Sequence, residues 1–389
     1  MTIQKGPNPF REDEYLARLE KSKKAMEEKG VDVFLVTCPS NIFYLSGYGA
    51  DSAYVSQAII IDLEDKYPKL CVRRQDAPAG FYMSFMPNDN VTGYPESFIG
   101  DPEVDGYDFM VDTYGSLQKA KRVGIEFGSV SASTLAKLQK RLPNATFVDM
   151  SEVVDWHRLV KSPAEIEIQH QAGVMTDLAF QTGLEAFAKP NMRECDVAAE
   201  ISAALIRGTP EFGGTQHDPV LIPGGLQSGT SHIPWTEQKI QKGKHYNMEF
   251  GAARHRYSVG LMRTAAIEKP SDKLSDLYKY MIEGCNNALE VIKPGVTCGE
   301  IARSYADTIA KGGYEKDSRC GYPIGIDWLE TTLSLRTDSK YRVSENMVIH
   351  LMLGTWIEDD FGAVISETFR VTSDGYEVFS KLPRELLIV

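Results

Sequence analysis

The stretch YNMEFGAARHRYSVGLMRT, residues 246–264, has the pattern of two β-strands joined by a short turn. Glu249 lies between the apolar residues Met248 and Phe250, so alternation along a strand puts its carboxylate on the opposite face from their side chains. Eleven residues after Glu249, where a metal-binding hairpin would carry a second carboxylate, stands Gly260. The stretch is therefore a metal site, the remains of one, or a different site built on the same frame.

The sequence on the N-terminal side of this hairpin predicts a separate domain. Segments typical of strands and helices alternate from about residue 12 to residue 150, which indicates an α/β domain over residues 1–157. Ser162 and Pro163 then predict the start of a long amphipathic helix that runs to about Ala188. Helices lead into strands twice in the remaining chain, so we expect residues 158–389 to form a duplicated α+β unit.

The composition narrows the class of partner. The 389 residues are 42% hydrophobic and 25% charged, with a net charge of -12. This balance argues against nucleic acid or an anionic membrane, and it suits a small cationic or zwitterionic substrate. The six cysteines are dispersed and form no CxxC pair, and there is no apolar leader or membrane-length apolar run. We expect a cytoplasmic protein with reduced thiols.

Several polar residues interrupt otherwise apolar or glycine-rich segments. His232 lies in SGTSHIPW, where its role is either structural or functional, and Glu249, His350 and Glu367 fall in runs typical of buried strands. Trp328 near carboxylates can bind a cation through its ring face, or it is a core residue. These residues suit acid/base chemistry. The sequence contains no HExxH, no close His/Cys pairs, no GxSxG elbow and no phosphate-binding or Rossmann glycine loop.

The order of these parts resembles the creatinase/methionine aminopeptidase (pita-bread) superfamily, and within it the metal-free bacterial ectoine hydrolase family. The resemblance covers nearly the whole chain and rests on a set of motifs: NIFYLSGY (41–48), VVDWHRLVKSPAEI (153–166), FGGTQHDPVLIPGG (212–225), SGTSHIPW (228–235), EFGAARHRYSVGLMRT (249–264), GYPIG (321–325), DWLETTLSLR (327–336), HLMLGTW (350–356) and ISET (365–368). The resemblance implies an α/β N-terminal domain of the creatinase type and an α+β pita-bread C-terminal domain with pseudo-two-fold symmetry.

The resemblance also implies that the dinuclear metal site of the related peptidases is lost. Matched position by position, their five ligands correspond to Glu249, Gly260, Tyr322, Met352 and Glu367, and three of these bind a hard divalent ion poorly. We therefore expect neither a metal nor any other cofactor.

Creatine and ectoine share a planar, positively charged N–C–N centre beside a carboxylate, which suggests roles for these residues. Glu249 would act at the central carbon, as nucleophile or as the base for water; His232 would carry the proton to the leaving nitrogen, and Glu367 would pair with an amidinium N–H. Further substrate contacts are expected from a second set of residues: Tyr322, Glu330, His350, Arg263, Trp328, Tyr44, Tyr48 and Arg74. The last three follow from the homodimer implied by the resemblance, in which one subunit's N-terminal domain lies near the other's site.

The chain also departs from the ectoine hydrolase pattern. Leu329 stands where a glycine is expected, and Val259-Gly260 replaces a Cys-Pro-like pair. Three alternatives therefore stay open: a creatinase-like hydrolase of another guanidino or amidine compound, a metal-dependent Xaa-Pro peptidase, and an inactive ligand-binding relative.

Overall fold

The computed structural model describes residues 4–215, 219–358 and 360–389. It divides into two compact units, Met1–Arg158 and Leu159–Val389.

The N-terminal unit is built on a mixed six-stranded sheet in the order β4-β3-β2-β1-β5-β6. Its strands are β1 (Val33–Val36), β2 (Ala58–Asp62), β3 (Lys69–Arg73), β4 (Val91–Tyr94), β5 (Arg122–Ile125) and β6 (Thr146–Asp149). The helices that precede and separate them are α1 (Glu12–Lys29), α2 (Pro39–Ser46), α3 (Ala77–Met83), α4 (Gly106–Thr113), α5 (Gly115–Lys119) and α6 (Ala132–Arg141), and α7 (Val153–Leu159) follows the last strand. The unit is therefore an α/β domain, as the alternating pattern predicts.

Local sequence signals account for the helices that open the C-terminal unit. The Ser162 side chain accepts a hydrogen bond from the Glu165 backbone N–H, and the Glu165 carboxylate accepts one from the Ser162 N–H. This reciprocal cap, with proline in the first turn, fixes the start of α8. The described residues of this unit form the α-helices α8 (Pro163–Ala188), α9 (Glu194–Arg207), α10 (Asp272–Glu290) and α11 (Cys298–Ala310).

The hairpin predicted around Glu249 forms β7 (His245–Arg254) and β8 (Tyr257–Ala266). His255 and Arg256 both have positive φ, which is the geometry of a two-residue hairpin turn. The register pairs Glu249 with Met262 and Gly251 with Gly260. Because side chains of paired residues lie on the same face, Glu249, Met262 and Gly260 share one face of the hairpin.

A second sheet, in the order β14-β13-β10-β9, carries three more predicted site residues: Tyr322, His350 and Glu367. Its strands are β9 (Gly321–Pro323), β10 (Val348–Met352), β13 (Ser366–Val371) and β14 (Tyr376–Val378); β11 (Thr355–Trp356) and β12 (Gly362–Ala363) form a short ladder, and β15 (Leu387–Ile388) joins β8. The Thr368 hydroxyl donates to the Gly260 carbonyl, so β13 lies against the hairpin.

Helix pairs α8–α9 and α10–α11 each lead into strands, so the C-terminal unit is the duplicated α+β arrangement expected from the sequence. The pita-bread prediction is confirmed. All six cysteines are unpaired. Among the helices of the described chain, none is both long and apolar enough to cross a membrane.

Candidate active site

Glu249 is a partly buried carboxylate in the middle of β7. Its neighbours Met248 and Phe250 are fully buried in the core, and Glu249 is on the other face of the strand. No residue in the described part of the chain donates a hydrogen bond or ion pair to its carboxylate. Burial raises the pKa of Glu249 to about 7. A carboxylate with such a pKa is poised to accept a proton near neutral pH.

Glu249 faces a cavity of about 1080 Å³ within the C-terminal unit. Three other predicted site residues also line this cavity: His232, Tyr322 and Trp328. Its apolar wall includes Met262, Met352 and Trp356. A carboxylate among aromatic and apolar groups is an arrangement that favours an organic cation.

His232 reaches the cavity from the loop before β7. Its backbone is left-handed, with φ of 66°, and its ring is exposed. Such a backbone is uncommon outside glycine, and non-glycine residues in it are found preferentially at functional sites. An exposed imidazole on the cavity wall is able to exchange protons with both solvent and a bound molecule.

Trp328 fills the space beside Gly260. A Cβ atom built on Gly260 would lie only 2.6 Å from Cη2 of Trp328. The indole Nε1 donates to the Tyr322 hydroxyl oxygen at 3.0 Å, which fixes the two rings relative to each other. Gly260, where a metal-binding hairpin would carry a second carboxylate, is therefore next to the indole ring of Trp328.

His350 lies behind these two rings and does not line the cavity. Its ring packs edge-to-face against Tyr322 and Trp328, at centroid distances of 5.6 and 5.4 Å. Nε2 is 2.8 Å from the Ser366 hydroxyl, and complete burial lowers the pKa of His350 to about 3. The imidazole is therefore neutral at physiological pH and supports the aromatic wall, instead of contacting substrate as the sequence suggested.

The assignment of Glu367 as a catalytic residue needs correction. In the β10–β13 ladder Met352 pairs with Ser366, while Glu367 pairs with Leu351. Met352 lines the cavity, so Ser366 is on its face of the sheet and Glu367 is on the opposite face. Glu367 is 1% exposed, and its Oε1 accepts a 2.6 Å hydrogen bond from Arg263. Its carboxylate is directed away from Glu249.

Arg263 is likewise not a substrate-binding residue. Its guanidinium is completely buried and donates all five N–H groups to protein oxygens. One of these is the Glu367 carboxylate, and the others are backbone carbonyls of Met262, Ser366, Leu382 and Pro383. With every donor satisfied, Arg263 holds β8, β13 and the C-terminal segment together.

Glu330 also has a structural role in this arrangement. Its carboxylate forms a buried ion pair with Lys161 at 2.8 Å. It lines a separate cavity, of about 630 Å³, and not the one that Glu249 faces.

Tyr44, Tyr48 and Arg74 are the residues of the N-terminal unit that the sequence predicted to contact substrate, and they do not form a common site within that unit. Tyr44 and Tyr48 are 2% and 1% exposed, and their hydroxyls lie 3.3 Å from the His157 carbonyl and 2.8 Å from the Ser52 hydroxyl. Side chains buried this deeply cannot reach the site of a neighbouring subunit, so both are core residues. Arg74 is exposed.

Arg319 is the residue that the sequence analysis missed. It lines the cavity with Glu249, and its guanidinium lies over the Tyr322 ring at 4.6 Å from the centroid. The sequence feature that could have indicated Arg319 is its position three residues before Tyr322, which was already predicted to be a site residue.

The comparisons with known proteins agree with this architecture. The crystal structure of the prolidase from Thermococcus sibiricus superposes with a TM-score of 0.85 at 19% identity, over 96% of this chain and 99% of that one, which establishes the fold alone. Residues 167–373 match the model of metallopeptidase family M24, and residues 18–160 match the creatinase/prolidase N-terminal domain. The chain therefore belongs to family M24, a family of hydrolases, and carries a creatinase-type N-terminal domain.

Two curated relatives match over nearly their full lengths. The uncharacterized hydrolase/peptidase y4tL of Sinorhizobium fredii is 42% identical, with 100% of both chains covered. The ectoine hydrolase of Halomonas elongata is 32% identical, with 98% of both chains covered.

The metal site that the name of this family implies does not fit the residues present. Of the five positions matched to ligands, only Glu249 directs a carboxylate into the cavity, and Gly260, Tyr322 and Met352 offer no carboxylate or imidazole. Glu367 is on the far side of its strand. Within residues 4–215, 219–358 and 360–389, no cluster of three or more His, Cys, Asp or Glu side chains is able to hold a metal ion. Residues 216–218, part of one motif quoted for the resemblance, lie outside the described residues.

Proposed function

We propose that this protein is a metal-independent hydrolase that opens a C–N bond of a cyclic amidine such as ectoine or hydroxyectoine. The observation that carries the proposal is Glu249, whose carboxylate has no described partner, has a pKa of about 7 and faces a cavity walled by Trp328, Tyr322 and Trp356. The similarity to an ectoine hydrolase over the full chain supports the choice of substrate.

The cavity supplies what an amidinium substrate needs. Trp328, Trp356 and Tyr322 present aromatic surface to a planar cation, an attraction worth about 0.5–2 kcal/mol per ring. The Glu249 carboxylate provides the opposite charge on the same wall. Because a nearby cation favours the ionised carboxylate, substrate binding lowers the pKa of Glu249 from its raised value and prepares it to act as a base.

In the reaction that we propose, Glu249 removes a proton from water as the water oxygen forms a bond to the central amidinium carbon. The bond from that carbon to one ring nitrogen then breaks, and His232 donates a proton to the departing nitrogen. The hydroxyl proton left on the central carbon's oxygen passes to the released amine as the amide carbonyl forms, so the amine leaves as an ammonium. The proton on Glu249 passes back through solvent to His232, which restores both groups. One water is consumed, and ectoine yields an N-acetyl-diaminobutyrate.

We propose general-base catalysis by Glu249, because its pKa of about 7 in the free protein falls as the substrate cation binds, and the ionised carboxylate that results can accept a proton from water. We also propose a cytoplasmic location, and, following the family resemblance, a homodimer, which sedimentation of the purified protein would test.

A substrate panel with mass detection tests this function. Chelator-treated protein is incubated with ectoine, hydroxyectoine, creatine and an Xaa-Pro dipeptide. Mass detection then seeks a single product heavier by one water from each cyclic amidine, and two fragments whose summed mass exceeds that of the substrate by one water from creatine and the dipeptide. Hydrolysis of ectoine or hydroxyectoine supports the proposal. Hydrolysis of creatine alone would assign a different substrate, cleavage of the dipeptide only after metal addition would identify a peptidase, and stabilisation by a ligand without product would indicate a binding protein.

A further inference from the structure

Arg319 is the one lysine or arginine among the described residues that line the Glu249 cavity. It lies just before β9, and its side chain is partly buried. The cavity thus carries a permanent positive charge as well as the Glu249 carboxylate. A wall that carries both a cation and carboxylates, those of Glu249 and exposed Asp317, is complementary to a molecule that carries both charges.

The contacts of Arg319 differ from those of Arg263. All five N–H groups of Arg263 are donated to protein oxygens. Arg319 makes a single hydrogen bond in the described part of the chain, from its guanidinium to the Ser334 hydroxyl at 3.4 Å. Most of its donors are therefore left for solvent or for a bound molecule.

Tyr322 holds this guanidinium in place. The guanidinium lies over the Tyr322 ring, and the Tyr322 hydroxyl accepts the Trp328 indole N–H. Trp328 in turn packs against Gly260 and His350. A guanidinium on a fixed ring has already lost part of its rotamer freedom, so less entropy is lost when it binds an anion.

An internal partner for Arg319 was considered first. Asp317 lines the same cavity two residues earlier, but it is exposed and forms no ion pair with Arg319. The positive charge is consequently not neutralised by an acidic side chain within the described residues.

We propose that Arg319 binds the carboxylate of the substrate, and that the substrate is accordingly an amidine that also carries a carboxylate. The proposal rests on the function given above and adds the residue that determines specificity. A guanidinium matches a carboxylate with two parallel N–H···O bonds, which a neutral group in the same place cannot form. The amidinium would then lie on the aromatic wall beside Glu249.

The test compares a substrate with its neutral carboxamide in wild type and in Arg319→Gln. For ectoine we expect KM to rise about 30- to 100-fold in Arg319→Gln, with kcat changed less than about fivefold, because the lost bonds are present before and during the reaction. For the carboxamide, KM should be similar in both proteins. Arg319→Lys keeps the positive charge but lacks the paired N–H donors of a guanidinium, so its KM for ectoine should lie between those of wild type and Arg319→Gln.

Arg207→Gln provides the control, because Arg207 is exposed at the end of α9 and does not line the cavity. Calorimetric binding of ectoine and its carboxamide, without turnover, separates this proposal from the proposed function. If wild type binds ectoine more tightly than the carboxamide, and Arg319→Gln loses that preference, Arg319 is supported even without hydrolysis. Equal losses for both ligands, an unchanged preference, or no binding of either ligand by wild type would overturn it.

Discussion

Trp328 occupies the space that a side chain at position 260 would need. Three atoms of its ring lie within 3.0 Å of where a Cβ on Gly260 would be, and Cη2 is only 2.6 Å away. The glycine at position 260 leaves room for the Trp328 ring where a metal-binding hairpin would carry a second carboxylate, and the ring makes the cavity suited to an organic cation. Glu249 remains as a single carboxylate whose ionisation is opposed by burial.

Gly260→Ala tests this packing. The added methyl group must displace the Trp328 ring, and overpacking of this kind costs about 1–3 kcal/mol of folding free energy. Chemical denaturation should show that loss, and KM should rise because the ring no longer lies where substrate binds. Shortening the ring in Gly260→Ala/Trp328→Leu should recover stability but not KM.

Gly115→Ala is the matched control, since a Cβ there meets nothing within 4 Å. A Gly260→Ala protein as stable as this control would show that Trp328 does not occupy the space beside Gly260.

Glu249→Gln tests the proposed base. The amide keeps the size of the side chain but cannot accept a proton, so turnover should fall about 10²–10⁴-fold. Steady-state kinetics on the best substrate of the panel measures this. Glu268→Gln changes an exposed glutamate just beyond β8 that pairs with Lys242, and it should leave turnover unchanged. Retention of activity within about tenfold in Glu249→Gln would remove Glu249 from the mechanism.

The pH dependence of kcat/KM follows from the same residue. Burial raises the pKa of Glu249 to about 7, and the reaction requires the ionised form. Below that pH the fraction of enzyme with ionised Glu249, and with it kcat/KM, should fall about tenfold per pH unit. A profile that is flat between about pH 5 and pH 7 would be inconsistent with an ionised Glu249 as the base.

The contribution of Glu249 to the free energy of unfolding should change with pH in the opposite direction from kcat/KM. A folded-state pKa above the ordinary value of 4.5 means that Glu249 favours the folded state most at low pH, and that this contribution is lost as pH rises from about 4.5 through 7. Glu249→Gln lacks this titration. Its melting temperature relative to wild type should therefore increase from about pH 4 to pH 8, and a constant difference would contradict the raised pKa.

Arg263 and Glu367 should affect stability more than chemistry. Arg263→Ala removes the 2.6 Å partner of the buried Glu367 carboxylate and leaves it the longer, 3.6 Å contact with partly exposed Arg384, so the cost should approach about 3–5 kcal/mol. Glu367→Gln retains an oxygen that accepts from Arg263 and should cost less, with kcat of the folded protein within about threefold of wild type. Arg193→Ala, which removes an exposed pair with Asp196, serves as control. A loss of about a hundredfold or more in kcat for folded Glu367→Gln would restore the catalytic role expected from the sequence.

Residues with strong local signals were predicted well. Ser162 and Pro163 fixed the start of α8, and the alternation around Glu249 correctly put its carboxylate on the face opposite Met248 and Phe250. These features depend on neighbours in the sequence, so periodicity and capping rules are sufficient to find them.

Residues that depend on strand register and long-range contacts were not predicted. Ser366 and Glu367 are neighbours on β13, but their side chains lie on opposite faces of the sheet. Ser366 is on the same face as Met352, whereas Glu367 is on the other face and forms an ion pair with Arg263. Matching of sequence motifs does not distinguish two adjacent positions, whereas the pairing of β10 with β13 shows which residue lies on which face. The proposed role of Arg319 depends on the Tyr322 ring, which is three residues away in the sequence, and on the absence of an acidic partner among the described residues, which the sequence near Arg319 does not reveal.

The most direct measurement of the central claim is the kcat/KM for ectoine hydrolysis by chelator-treated protein whose metal content has been determined. We predict a one-water product at a rate unaffected by removal or addition of divalent metal, with less than about 0.1 metal ion per chain, and loss of that product in Glu249→Gln. Activity that disappears on chelation and returns in proportion to bound metal would contradict the account.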